Sequence, residues 1–180
     1  MPTKPLHGFS SALRAHIRNG ESQLALHLYE EILQIKNSRS HLNPASFVSL
    51  LRACAELKDS QKGYTLHSDI ARKGLLDQNL FVGNALLDMY AKCGSLEEAH
   101  KVFDHMLNQD MISWNTLIAG YVQHEDGFKA LDLYERMREK GFISDKVTFL
   151  AGLKACVDTG ALLLGKILHD EIYRCGFESD

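Results

Sequence analysis

The chain has 180 residues, 45% of them apolar and 24% charged, with 20 basic and 23 acidic side chains giving a net charge of -3. That is the composition of a folded domain and not of a disordered segment. No run of about 18 apolar residues exists to span a bilayer, three prolines are too few for a Pro-rich linker, and four cysteines are no disulfide scaffold. The small negative charge argues against binding polyanions by bulk electrostatics.

Met1 to Gly8 has no apolar core, so it is no secretory signal, and it is neither Arg-rich nor long enough for a convincing organelle transit peptide. From Phe9 onward, apolar spacing predicts ten helices, at 9–19, 23–35, 44–57, 60–73, 81–92, 95–106, 112–123, 127–140, 146–158 and 161–175. Stop and start signals recur in register with them. Asn43 and Pro44 form an N-cap and first helical position, Ser95 with Glu98 a capping box, and Gly74, Gly94, Gly141 and Gly176 close helices. No segment alternates with period two, so no β-sheet is expected. Cys54, Cys93, Cys156 and Cys175 lie far apart without a C-x-x-C, which points to reduced, buried thiols and no metal site.

The chain also repeats itself. Laid on residues 146–180, residues 44–78 give ten identities at a constant offset of 102, among them Leu51/Leu153, Cys54/Cys156, Gly63/Gly165, His67/His169 and Ile70/Ile172. An offset of 31 lays Asn84-Ala85-Leu86-Leu87 on Asn115-Thr116-Leu117-Ile118, and one of 105 lays Ala25–Glu30 on Ala130–Glu135. Self-similarity at this period marks a solenoid, in which helix pairs too short to bury their own apolar faces stack on one another. The expected fold is all-α: a right-handed α-solenoid of about five helix-turn-helix repeats.

The segments Gly83 to Gly94, Ser95 to Asp104 and Ile112 to Tyr121 resemble pentatricopeptide repeats, more narrowly those of the plant PLS subfamily, which alternates P, longer L and shorter S units. On that resemblance residues 1–43 hold a degenerate P-like repeat, 44–79 an L-like one, 80–110 an S-like one, 111–145 a P-like one and 146–180 a second L-like one, all in one continuous solenoid. The L-like units carry Leu51/Cys54 with Gly63/His67, and again Leu153/Cys156 with Gly165/His169.

The resemblance implies a single-stranded RNA partner, one base per repeat. The fifth and last residues of a unit select the base and the second packs on its face. Carried over, the pairs are Asn84 with Asp110 and Asn115 with Asp145, both of which imply uracil, and Ser10 with Asn43, which implies adenine; the packing residues are Phe81, Ile112, Val147 and His7. An Asn amide holds both a donor and an acceptor for uracil. Val48 and Leu150 occupy the fifth position of the L-like units and cannot read a base. Each residue has a plainer reading: Asn and Asp at helix starts as caps, Phe81, Ile112 and Val147 as core.

Relatives of this kind act in mitochondria or chloroplasts, in RNA editing or processing. The resemblance thus implies a non-catalytic adaptor, with an editing or processing enzyme acting in trans, no cofactor, no membrane and no small-molecule substrate. His169-Asp170-Glu171 matches half a zinc-deaminase signature, but no P-C-x-x-C follows. His67 and His169 are expected to pack between helices. Summed by unit, charge runs +2, +1, -3, -2 and -1, so the two best reading units are the most acidic. That leaves a protein-interaction scaffold, or a truncated copy of a longer editing factor, as alternatives. Leu163, Leu164, Ile167 and Ile172 have no capping helix to cover them, which suggests a piece of a longer array.

Overall fold

The computed structural model describes residues 8–34 and 42–177. Among them are eleven α-helices and no strand: α1 (Phe9–Arg18), α2 (Ser22–Leu33), α3 (Pro44–Leu57), α4 (Ser60–Arg72), α5 (Leu75–Gln78), α6 (Leu80–Lys92), α7 (Leu96–His105), α8 (Met111–Gln123), α9 (Gly127–Glu139), α10 (Lys146–Thr159) and α11 (Leu162–Arg174). The one helix beyond the expected ten is α5. Gly74 turns left-handed at φ 64, which frees Leu75–Gln78 to make a single turn before Asn79 starts α6.

The helices fall into two compact units, Met1–Asn108 and Gln109–Asp180. In the first, α3 packs on α1, α2, α4 and α6, and α6 packs on α7; in the second, α10 packs on α8, α9 and α11. Within each unit neighbouring pairs thus bury their apolar stripes against one another, as short amphipathic pairs must. The first core is built from Leu13, Tyr29, Phe47, Leu50, Leu66, Tyr90 and Phe103, the second from Trp114, Leu117, Leu133 and Tyr134. Trp114 is fully buried, with the Lys140 ammonium 5.4 Å from its ring centroid.

Most terminators act as expected: Gly94 and Gly141 end helices at φ 78 and 82. The box at Ser95 does not form. Ser95 makes no side-chain cap, and the Glu98 carboxylate is drawn instead to Lys101 at 2.7 Å. The thiols also divide: Cys54 and Cys156 are buried and Cys93 half-buried, but Cys175 is exposed. Burial pushes the Cys54 thiol up to about 12, so it is an inert packing group. Among the described residues no helix is long and apolar enough to cross a membrane, and no cluster of His, Cys, Asp or Glu could hold a metal ion.

Candidate nucleic-acid interface

A helix start leaves backbone N–H groups without partners, and a short polar side chain just before the first turn supplies one. Asn43, Asn79, Asp110 and Asp145 do this for α3, α6, α8 and α10, each accepting a hydrogen bond from the N–H three residues on. At Asp110 and Asp145 the third residue, Ser113 or Thr148, closes a capping box. These four, each at the last position of an expected repeat, are therefore all caps.

In the second unit the cap has another partner. Asn115, one turn into α8, donates from Nδ2 to both carboxylate oxygens of Asp145, at 3.1 and 3.0 Å. The Thr148 hydroxyl lies 2.7 Å from Asn115 Oδ1 and 2.8 Å from Asp145 Oδ1, while the Thr148 N–H donates to Asp145 at 2.9 Å. Only the NH₂ end of an amide can face a carboxylate, so the Asn115 amide has one orientation here. Burial works to raise the Asp145 carboxyl, but hydrogen bonds from the Thr148 backbone and hydroxyl and from Asn115 outweigh it and hold the group below its ordinary value. The anion that orients Asn115 therefore persists through the neutral range. One Nδ2 hydrogen and one Oδ1 lone pair of Asn115 remain for a ligand.

Ile112 stands three residues before Asn115, on the same face of α8, and Val147 two residues after Asp145; they are 58% and 55% exposed. Phe81 is 76% exposed. The plainer reading of these three as core residues is thus set aside: their side chains face solvent. Asn84 is half-buried at the fifth position of α6 in the first unit, whereas Asp110 belongs to the second unit as the cap of α8. Asn43 is exposed and bonded to Ser46. Ser10 is the second residue of α1, but its side chain, like His7, lies outside the described residues. Val48 is half-buried and Leu150 exposed. His67 packs as expected, its Nδ1 2.8 Å from the Tyr90 hydroxyl; His169 is exposed instead, because no described helix lies over it.

Sequence reasoning missed Thr148, the residue that ties Asn115 to Asp145. The signal was present as the Asp-x-x-Thr of a capping box, but a box binds only its own turn, and the reach back to α8 needs the fold.

Paired helices of this length, stacked through recurring caps, define a helical-repeat protein. Residues 109–158 match the PPR repeat family and residues 84–111 the PPR repeat. The chain is a pentatricopeptide repeat protein. It is 40% identical to the mitochondrial pentatricopeptide repeat-containing protein At3g09040 of Arabidopsis thaliana, over 96% of this chain and 16% of that protein. It is 36% identical to the chloroplastic CRR2 of the same plant, over 97% of this chain and 26% of that protein. The chain thus spans about a quarter or less of the length of these two relatives. Among solved structures it is similar to the pentatricopeptide repeat protein PPR10 in complex with an 18-nt psaJ RNA element, with TM-score 0.80 and 18% identity over 99% of this chain and 26% of that one. It is also similar to the nuclear protein-only RNase P 2 of Arabidopsis thaliana, with TM-score 0.76 and 16% identity over 94% of this chain and 38% of that one. These likenesses establish an α-solenoid fold.

Proposed function

We propose that the chain binds single-stranded RNA, one base per repeat, as a non-catalytic adaptor in organelle RNA editing or processing, with its units in the P, L and S order given above. The observation that carries this reading is the Asn115–Asp145–Thr148 arrangement. A freely turning amide matches either pyrimidine, because a half-turn exchanges its donor and acceptor. Uracil offers an acceptor at O4 and a donor at N3–H; cytosine offers the reverse at N4 and N3. An amide held in one orientation distinguishes the two, and a site built on such hydrogen bonds rejects the mismatched base by about 1–3 kcal/mol. Exposed Ile112 and Val147 are suited to stack on the base, a contact worth about 1–3 kcal/mol. The relatives' mitochondrial and chloroplastic names support an organelle.

The test is binding of the whole chain to a ribooligonucleotide carrying an adenine and paired uracils among spacer bases, against its cytidine-only counterpart. Wild type is expected to prefer the uracil-bearing strand. Thr148→Val should narrow that preference about tenfold or less while the helix still folds, and Asn115→Ser should move it toward guanine. Equal affinity of wild type for both strands would sink the reading.

A further inference from the structure

The residues four positions after each fifth position share its helix face. In the units with Asn at the fifth position, these are Asp88 and Ala119; in the others they are Arg14, Arg52 and Lys154. The structure places two of these cations together. Ser11, Arg14, Ile17 and Arg18 of α1 face Ser49 and Arg52 of α3 across a groove of about 380 Å³ with no acidic residue among its described lining. Arg14, Arg18 and Arg52 are all exposed, and neither Arg18 nor Arg52 forms an ion pair among the described residues. Nearby acids are engaged elsewhere, Glu21 with His16 at 2.6 Å and Glu56 with the Ser22 hydroxyl. Three arginines therefore line a groove that has no acidic side chain among its described lining residues.

We infer that this groove is a phosphate site that holds phosphodiester groups of a single-stranded RNA backbone. Guanidinium forks match tetrahedral phosphoryl oxygens in two-point contacts, and the Ser49 hydroxyl adds a donor, that of Ser11 being given to the Gly8 carbonyl. A strand is the fitting source of the phosphate because Arg14 and Arg52 stand one turn beyond Ser10 and Val48, on the helix face that the proposed function assigns to bases. The units that lack a reading Asn thus anchor the strand, and the acidic units read it. The inference rests on the RNA-binding reading for its ligand but not on the base code.

The test measures affinity of the whole chain for the uracil-bearing and cytidine-only strands across a salt series. Wild type is compared with the Arg18→Gln/Arg52→Gln double variant and with Lys92→Gln as a charge control on the exposed Asp88 pair. Each phosphate that the protein ceases to neutralise on a single strand lowers the slope of log affinity against log salt by about 0.7, so the double variant should drop by about 1.4 with both strands. The uracil-to-cytidine ratio should stay unchanged. An unaltered slope, or an equal drop with Lys92→Gln, overturns the site, as does no RNA binding at low salt. Inorganic phosphate at matched ionic strength should move the arginine Nε–H resonances less than either strand; equal shifts would make the groove a free-anion site and overturn the strand assignment. A normal slope change without any uracil preference would keep the groove and discard the base code.

Discussion

The helix pairs α3–α4 and α10–α11 carry the same residues at the same spacing, and those residues meet different fates. In the first pair Gly63 lets Met89 approach so closely that a Cβ there would lie 2.5 Å from its sulfur, His67 bonds Tyr90, and Ile70 is fully buried. In the second, a Cβ on Gly165 would meet only Cys156 at 3.6 Å, His169 is exposed, and Ile172 is half-buried. Leu162 and Leu163 are 72% and 76% exposed beside an open groove of about 580 Å³ lined by Leu153, Cys156, Val157 and Gly165. The difference is α6, which is seated on α3 and α4. A repeat's own residues determine which side chains are offered, and the neighbouring repeat decides whether they are buried.

Truncation at equivalent positions probes this most strongly. Ile70→Ala should cost about 2–5 kcal/mol, as for a fully buried aliphatic residue, while Ile172→Ala should cost about 1 kcal/mol or less because its site is half open. Equal shifts in urea midpoints would break the comparison. A smaller effect concerns the ends of α3 and α10. Lys58 and Gly160 occupy the same left-handed position, at φ 53 and 70. Lys58→Gly should stabilise by about 1 kcal/mol and Gly160→Lys destabilise by a similar amount, read as opposite shifts in Tm.

The smallest effect is a pH dependence. Burial holds His67 below its ordinary value of 6.5, against Glu98, which favours the charged ring, and with His105, which opposes it. Below pH 6.5 the unfolded chain therefore takes up a proton that the folded one refuses, so stability falls with pH until the lowered folded value is passed. His67→Gln should flatten the stability curve through that window. A stability curve that keeps its slope in His67→Gln would remove this part of the comparison.

Much of this is legible in the sequence. Apolar spacing places ten helices to within a residue or two, because the stripe that packs is the stripe that repeats at 3.6. Asn115 and Asp145 are singled out by the resemblance to pentatricopeptide repeats, and the structure brings them within hydrogen-bond distance. The single turn of α5 escapes such reading because four residues are too few to carry a period. The failed cap at Ser95 escapes it because Glu98 has a nearer partner in Lys101. Thr148 and the arginine groove are hidden for one reason: each joins residues some 30 to 40 positions apart, and only packing of neighbouring helices reveals them.

The caps carry one more consequence. Asp145 starts α10 and orients Asn115 in the same stroke, and Asn43, Asn79 and Asp110 start their helices likewise. The vocabulary open to that position is therefore the vocabulary of helix starts, Asn, Asp, Ser and Thr. Should this position also select a base, as proposed, its changes are confined to that short alphabet, because a residue outside it would cost the first turn of the next helix about 0.5–2 kcal/mol.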